Sequence, residues 1–240
     1  VEKPCKGLFS FTLKHLSMNQ AILLQKARRD AGLQEDTSYD TDLALWLNDG
    51  IDDLNSRYVF AFQEAIIPIT TINGIASYSL GVEVLRPILV KETGKTQGLH
   101  YLGIQDFYTQ NDTTGSIKNY RIAGLSRDAV SDTPYSTLLL SPTPNSAVAL
   151  SAIVYKAIPH LASTDDVPFI PKSFHRMLAY YATSSYFASQ GDNRAVASHD
   201  LYENALLDLV DQQDGRPVDA PLVLQPTHST VPMVRFPSNF

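Results

Sequence analysis

The chain has 240 residues, 44% apolar and 18% charged, with a net charge of −6 and a pI near 5.4. That composition suits a protein able to bury a real core, and its acidic balance counts against a protein that mainly grips nucleic acid. The one cysteine, Cys5, excludes an internal disulfide or a cysteine-built zinc site within one chain, and no apolar run approaches the roughly 18 residues that span a bilayer.

Residues 1–18 read as an apolar N-terminal arm. Its run Gly7-Leu8-Phe9-Ser10-Phe11-Thr12-Leu13 is too short and too broken by polar residues for a signal sequence. Met18 offers an alternative translation start to Val1. Residues 19–65 carry two helical patterns. The first is capped by Asn19 and ends at Gly32. The second is capped by Asp40 or Thr41 and carries Leu43, Trp46, Leu47, Ile51, Leu54, Tyr58 and Phe62 on one wide apolar stripe. Asp52 and Asp53 read as a solvated face of that helix.

From 66 to 158 the period shortens. Ile66 to Ile72 is strand-like, Asn73-Gly74 is a hairpin turn signal, and Ile75 to Leu80 would be the returning strand. Residues 87–92, 119–123, 136–140 and 147–157 add strands between turn-rich stretches, and 104–110 form a helical turn. This predicts a small antiparallel sheet or sandwich. Residues 159–214 return to helix through a proline-marked elbow of Asp165, Asp166, Pro168 and Pro171. Phe174, Met177, Leu178, Tyr181, Ser185 and Ala188 trace one face of the first helix. Asn193 caps the second, which carries Ala197, Leu201, Ala205 and Leu209 with Tyr202 and Leu206, completing an αα-hairpin. Residues 215–240 hold five prolines and no helical period, forming an extended tail. Its apolar residues Leu222, Val223, Leu224, Val231, Met233, Val234, Phe236 and Phe240 imply that it lies against something. The fold class expected is α+β, a helical bundle with a β insert and extended arms.

Catalytic signatures are missing: no nucleophile elbow, Walker loop, dinucleotide fingerprint or His-Glu-x-x-His occurs. The six histidines are scattered, so no cofactor or metal is expected. Asp165 and Asp166 could serve acid/base or metal chemistry beside His175, as in a small hydrolase, but the simpler reading is that they prepare a helix N-terminus. Lys26, Arg28 and Arg29 hint weakly at DNA contact, as in a packaging factor, or at pairing with an acidic neighbouring subunit. Tyr155, Tyr180, Tyr181, Tyr186 and Tyr202 suit either an interface belt or the core.

The order of motifs carries more than any one of them. It runs from Asp40-Thr41-Asp42-Leu43-Ala44-Leu45-Trp46-Leu47-Asn48-Asp49-Gly50 to Tyr78-Ser79-Leu80 and Leu85-Arg86-Pro87-Ile88. Leu138-Leu139-Leu140-Ser141-Pro142-Thr143-Pro144 follows, then a strand to Tyr155 and the Asp-Asp-x-Pro-x-Ile-Pro elbow into two helices. Over roughly residues 19–212 this resembles the head-to-tail adaptor (connector, tail-tube A-like) proteins of tailed bacteriophages. Gly81 stands where a proline is common, and the arm and long tail are not general family features.

The resemblance implies a structural, non-enzymatic virion protein of the neck, assembled in the host cytoplasm as a ring of twelve copies under the portal. Such a ring joins the portal to tail or nozzle components and lets DNA pass without sequence-specific binding. It implies that the tail residues dock on the portal. It further implies that Leu43, Trp46, Leu47, Ile51, Leu54, Tyr58, Phe174, Leu178 and Tyr181 pack the bundle and its neighbours. A tail hub or baseplate ring is the alternative within the virion.

Overall fold

The computed structural model describes residues 18–34, 36–109, 114–127, 134–213 and 215–217. Among these the fold is mixed α+β, with five α-helices and several small sheets.

The first helix, α1 (Gln20–Ala31), starts where the Asn19 side chain accepts from the Ile22 amide, and stops at Gly32, whose φ of 79° only glycine adopts freely. The Leu33 amide then returns to the Arg28 carbonyl at 2.8 Å, closing the helix end. Helix α2 (Asp40–Arg57) has no side-chain cap, contrary to expectation. Asp40 lies in its first turn, 3.4 Å from Arg28 in the last turn of α1, so each charge also meets the favourable helix dipole. The α2 stripe also ends earlier than its sequence suggests. Tyr58 turns extended into β1 (Tyr58–Val59), and Phe62 lies in a 3-10 turn.

Next come β2 (Glu64–Thr70), β3 (Ser77–Ser79), β4 (Val84–Glu92), β5 (His100–Tyr101), the short α3 (Ile104–Thr109) and β6 (Thr114–Gly115). The strands β7 (Asn119–Arg127), β8 (Pro134–Ser141), β9 (Thr143–Pro144) and β10 (Ala149–Lys156) complete this region. Asn73-Gly74 does make a turn, with Gly74 at φ 79°, but it joins two sheets instead of forming a hairpin. β2 pairs with β10, Leu150 opposite Ile69, whereas β3 pairs with β8. The Tyr78 hydroxyl fixes the crossover, receiving the Ile72 amide at 2.9 Å and donating to the Ile75 carbonyl at 2.6 Å.

The sheet β2-β10-β4 is antiparallel, but β3-β8-β7-β5 ends on a parallel pair, and β6 and β9 pair in parallel. The small antiparallel module expected thus carries two short parallel pairs as well. Alternate residues of both larger sheets share one core: Ile69, Val90, Leu150, Ala152 and Val154 with Tyr120, Leu138 and Leu140. Burial and the neighbouring Tyr101 push the Tyr120 phenol up to about 12.

Beyond β10, a 3-10 turn at Lys172–Phe174 opens α4 (His175–Ser189), and Gly191 at φ 67° lies in the four-residue link to α5 (Arg194–Gln212). The Asp192 carboxylate accepts the Arg194 amide at 2.9 Å, where Asn193 was the expected cap. Helix α4 is buried on more than the expected face, with His175, Ala179, Ala182, Thr183, Ser184 and Phe187 covered, while Ser185 is half-buried and Ala188 exposed. The reason is that α1, α2 and α5 all pack on it. On α5 only Tyr202, Leu206 and Leu209 are buried; Ala197 and Leu201 face solvent. After α5, β11 (Arg216–Pro217) pairs with β1, bringing the chain back beside the end of α2.

Candidate functional site

A second apolar core holds α1, α2, α4 and α5 together. It contains Leu43, Leu47, Ile51, Leu54, Phe174 and Leu178 as buried members, with Trp46, Tyr58 and Tyr181 packed at its edge. Tyr180 and Tyr186 lie at the same edge, Tyr202 is buried inside, and Tyr155 is half-buried on β10. Gly50 lets α2 approach α4: a Cβ there would lie 3.2 Å from the Tyr181 ring.

The segment from 158 to 171 is sewn onto this core. Ile158, Leu161 and Ile170 are buried in it, Pro168 is buried and Pro171 half-buried. Two asparagines of α2 read its backbone in both directions. Asn48 donates to the Leu161 carbonyl at 3.2 Å and accepts the Leu161 amide at 2.9 Å. Asn55 does the same at Ile158, at 3.0 and 2.9 Å. The spacings match: seven helical residues rise about 10.5 Å, and three extended residues span about 10 Å. Gln20 of α1 adds a bond to the Leu161 carbonyl at 3.2 Å, and Gln63 reaches Asn55 at 3.3 Å.

Asp165 and Asp166 do not prepare α4, which begins beyond Pro171. Asp166 Oδ2 accepts the Ala162 and Ser163 amides, each at 2.8 Å, and curls the elbow into a loop. The loop's own carbonyls cap α1: Asp166 receives the Gln20 amide at 2.8 Å and Thr164 the Ala21 amide at 3.0 Å. Asp165 is exposed. His175 is buried, and its ring nitrogens bond the Met18 and Ile170 carbonyls at 3.2 and 2.9 Å. Of the three residues of the hydrolase reading, Asp166 and His175 thus serve separate structural bonds and Asp165 faces solvent. Among the described residues no cluster of three or more histidines, cysteines and acids could hold a metal ion, and no helix is long and apolar enough to cross a membrane.

Asp53 is no solvated acid. Its Oδ2 accepts the Tyr202 hydroxyl at 2.5 Å and pairs with Arg57 at 3.1 Å, while Arg57 grips Glu203 with two bonds of 2.7 and 2.9 Å. His199 stands 3.5 Å from Glu203. This clasp ties α2 to α5. Burial first, then the bond to Asp53, pushes the Tyr202 phenol far up, and the Arg57 guanidinium holds Glu203 below the usual carboxylate range. Asp52 is the exposed acid, bonded to the exposed His160 at 2.7 Å. Of the basic cluster, Lys26 pairs with Asp30 and Arg28 with Asp40. Arg29 is exposed and opens onto a cleft of about 410 Å³.

Sequence reasoning missed Asn48, Asn55 and the Asp53 clasp. The signal for the first two was present, since residues seven apart share a helix face. The tail residues Leu222, Val223, Leu224, Val231, Met233, Val234, Phe236 and Phe240, with Cys5 and most of the N-terminal arm, lie outside the described residues.

What remains is a body in which Asn48, Asn55, Asp53, Asp166 and His175 hold its own elements together, and whose exposed faces carry apolar residues such as Leu45, Ile66, Tyr108, Val196 and Leu207. That is the build of a structural assembly component. The chain belongs to the SU10 adaptor protein family, which matches residues 18–225. This is a family of phage structural adaptors, not an enzyme family, and it implies a virion component that interacts with other phage head and tail proteins. No curated protein matches the chain.

Proposed function

We propose that this protein is the head-to-tail adaptor of the phage neck, forming a ring of twelve copies that joins the portal to a tail or nozzle protein. The family match over residues 18–225 carries the reading. In this reading the four helices sharing one core form the bundle of the ring, with α4 and α5 as its hairpin and the sheets as an insert. Leu43, Trp46, Leu47, Ile51, Leu54, Tyr58, Phe174, Leu178 and Tyr181 keep that bundle rigid. The elbow fixes the sheets on it, and residues 218–240 dock on the portal by their apolar positions. DNA passes through the ring, and the net charge of −6 keeps its phosphates from sticking.

Cryo-electron microscopy of the virion tests this directly. The expected result is twelve copies between portal and tail. Finding the chain at a baseplate or tail hub, or finding it absent from particles, overturns the reading.

A further inference from the structure

Helix α5 turns an ordered row to solvent. Val196 and Leu207 are 66% and 55% exposed, and each is followed one turn later by an aspartate, Asp200 and Asp211. Eleven residues separate the two pairs, close to three whole turns, so both lie on one line. Among the described residues neither aspartate has a cation within ion-pair distance.

Helix α1 presents the complementary surface. Its cleft of about 410 Å³ is lined by Met18, Ile22, Gln25, Lys26, Arg29 and Gln34. Lys26 is held by Asp30 and the neighbouring Arg28 by Asp40, but Arg29 has no carboxylate partner among the described residues. The cleft therefore offers an apolar floor from Met18 and Ile22 and one free guanidinium. An apolar side chain with a carboxylate one turn away fits that chemistry, and α5 repeats this unit twice.

Resting on the ring reading above, we propose that the α5 row of one copy docks in the α1 cleft of the next. Leu207 covers Ile22 and Met18, and Asp211 pairs with Arg29. Among the described residues both faces are open to solvent, and a second copy would cover each. A contact between two different faces is head-to-tail, the kind that closes a ring, and α5 against α5 is disfavoured because it would set the aspartate rows against each other.

The test uses the full chain with Cys5→Ser as background, adding Ile22→Cys and Leu207→Cys singly and together, with a short bis-maleimide cross-linker. Both are surface positions, and an unchanged circular dichroism spectrum qualifies each variant. The double variant is expected to give a ladder well beyond dimer. The two single variants mixed should stop at a dimer, and each alone should give none. Asp211→Lys should weaken self-association about tenfold, and adding Arg29→Glu should restore it.

Dimers from Leu207→Cys alone overturn this interface, as does a missing ladder while native mass spectrometry still shows the assembled ring. In both cases the ring reading stands. An unsubstituted chain that stays monomeric at every concentration and is missing from the neck overturns both.

Discussion

Asn48 and Asn55 each satisfy the amide and the carbonyl of one residue of the 158–171 segment. Replacing Asn55 strands both groups of Ile158, while replacing Asn48 strands the Leu161 amide and leaves its carbonyl bonded to Gln20 alone. Asn48→Ala and Asn55→Ala should each cost about 1–2 kcal/mol, read from urea unfolding midpoints. The double variant should cost less than the sum, because both bonds hold one short stretch of chain; strict additivity would contradict that. The clasp gives a second prediction, with a sign fixed by Glu203. Its folded pKa lies below the ordinary 4.5, so its contribution is fully present above that value and is lost as pH falls through the lower folded value. Glu203→Gln should therefore be less stable than the parent at neutral pH by about 1 kcal/mol, since the pair is partly exposed. The gap should close as the solution is acidified below pH 4.5, and a gap that widens there would refute the assignment. Asp53 and Arg57 are four apart on one helix and legible as a pair, but nothing in residues 52–57 announces that Tyr202 and Glu203 meet them there.

At the scale of elements, α1 is held at its start by the Asp166 and Thr164 carbonyls of a loop distant in sequence, and that loop is curled by the Asp166 side chain. Asp166→Ala should lower stability by about 1–2 kcal/mol. It should also speed hydrogen exchange at Gln20 and Ala21 more than at the α4 amides, which would separate loss of the cap from global loosening. At Gly50 the closeness of α2 to α4 sets a steric limit: Gly50→Val should cost about 1–3 kcal/mol by driving a branched side chain into Tyr181, itself backed by Tyr202 at 5.0 Å. A melting temperature equal to the parent's would show that the helices can separate freely.

The helices were readable because capping residues and apolar periods are local. Asn19 and Gly32 mark α1 correctly for that reason. Strand partners were not readable. Asn73-Gly74 specifies a turn, but the partner of β2 arrives only at Ala149, and turn chemistry carries no information about it. The α4 face was blurred because a helix covered on several sides has no single stripe to find.

For the whole molecule, the two cores divide the labour. One joins four helices and the elbow, the other joins two sheets, and β1 with β11 returns the chain to the end of α2. The point where the described chain ends is thus fixed against the helical core. Gly215 helps set it, since a Cβ there would lie 2.8 Å from Phe60, and its amide bonds the Val210 carbonyl at 2.9 Å. If residues 218–240 are the portal-docking element, a chain ending at Pro217 should keep its helical circular dichroism and lose co-sedimentation with portal protein. Full-length chain carrying Phe236→Ser and Phe240→Ser should weaken it less completely, because the docking energy is spread over several apolar residues. Retained portal binding by the shortened chain would move the docking surface onto the described body, leaving the family assignment untouched but removing the role proposed for the tail.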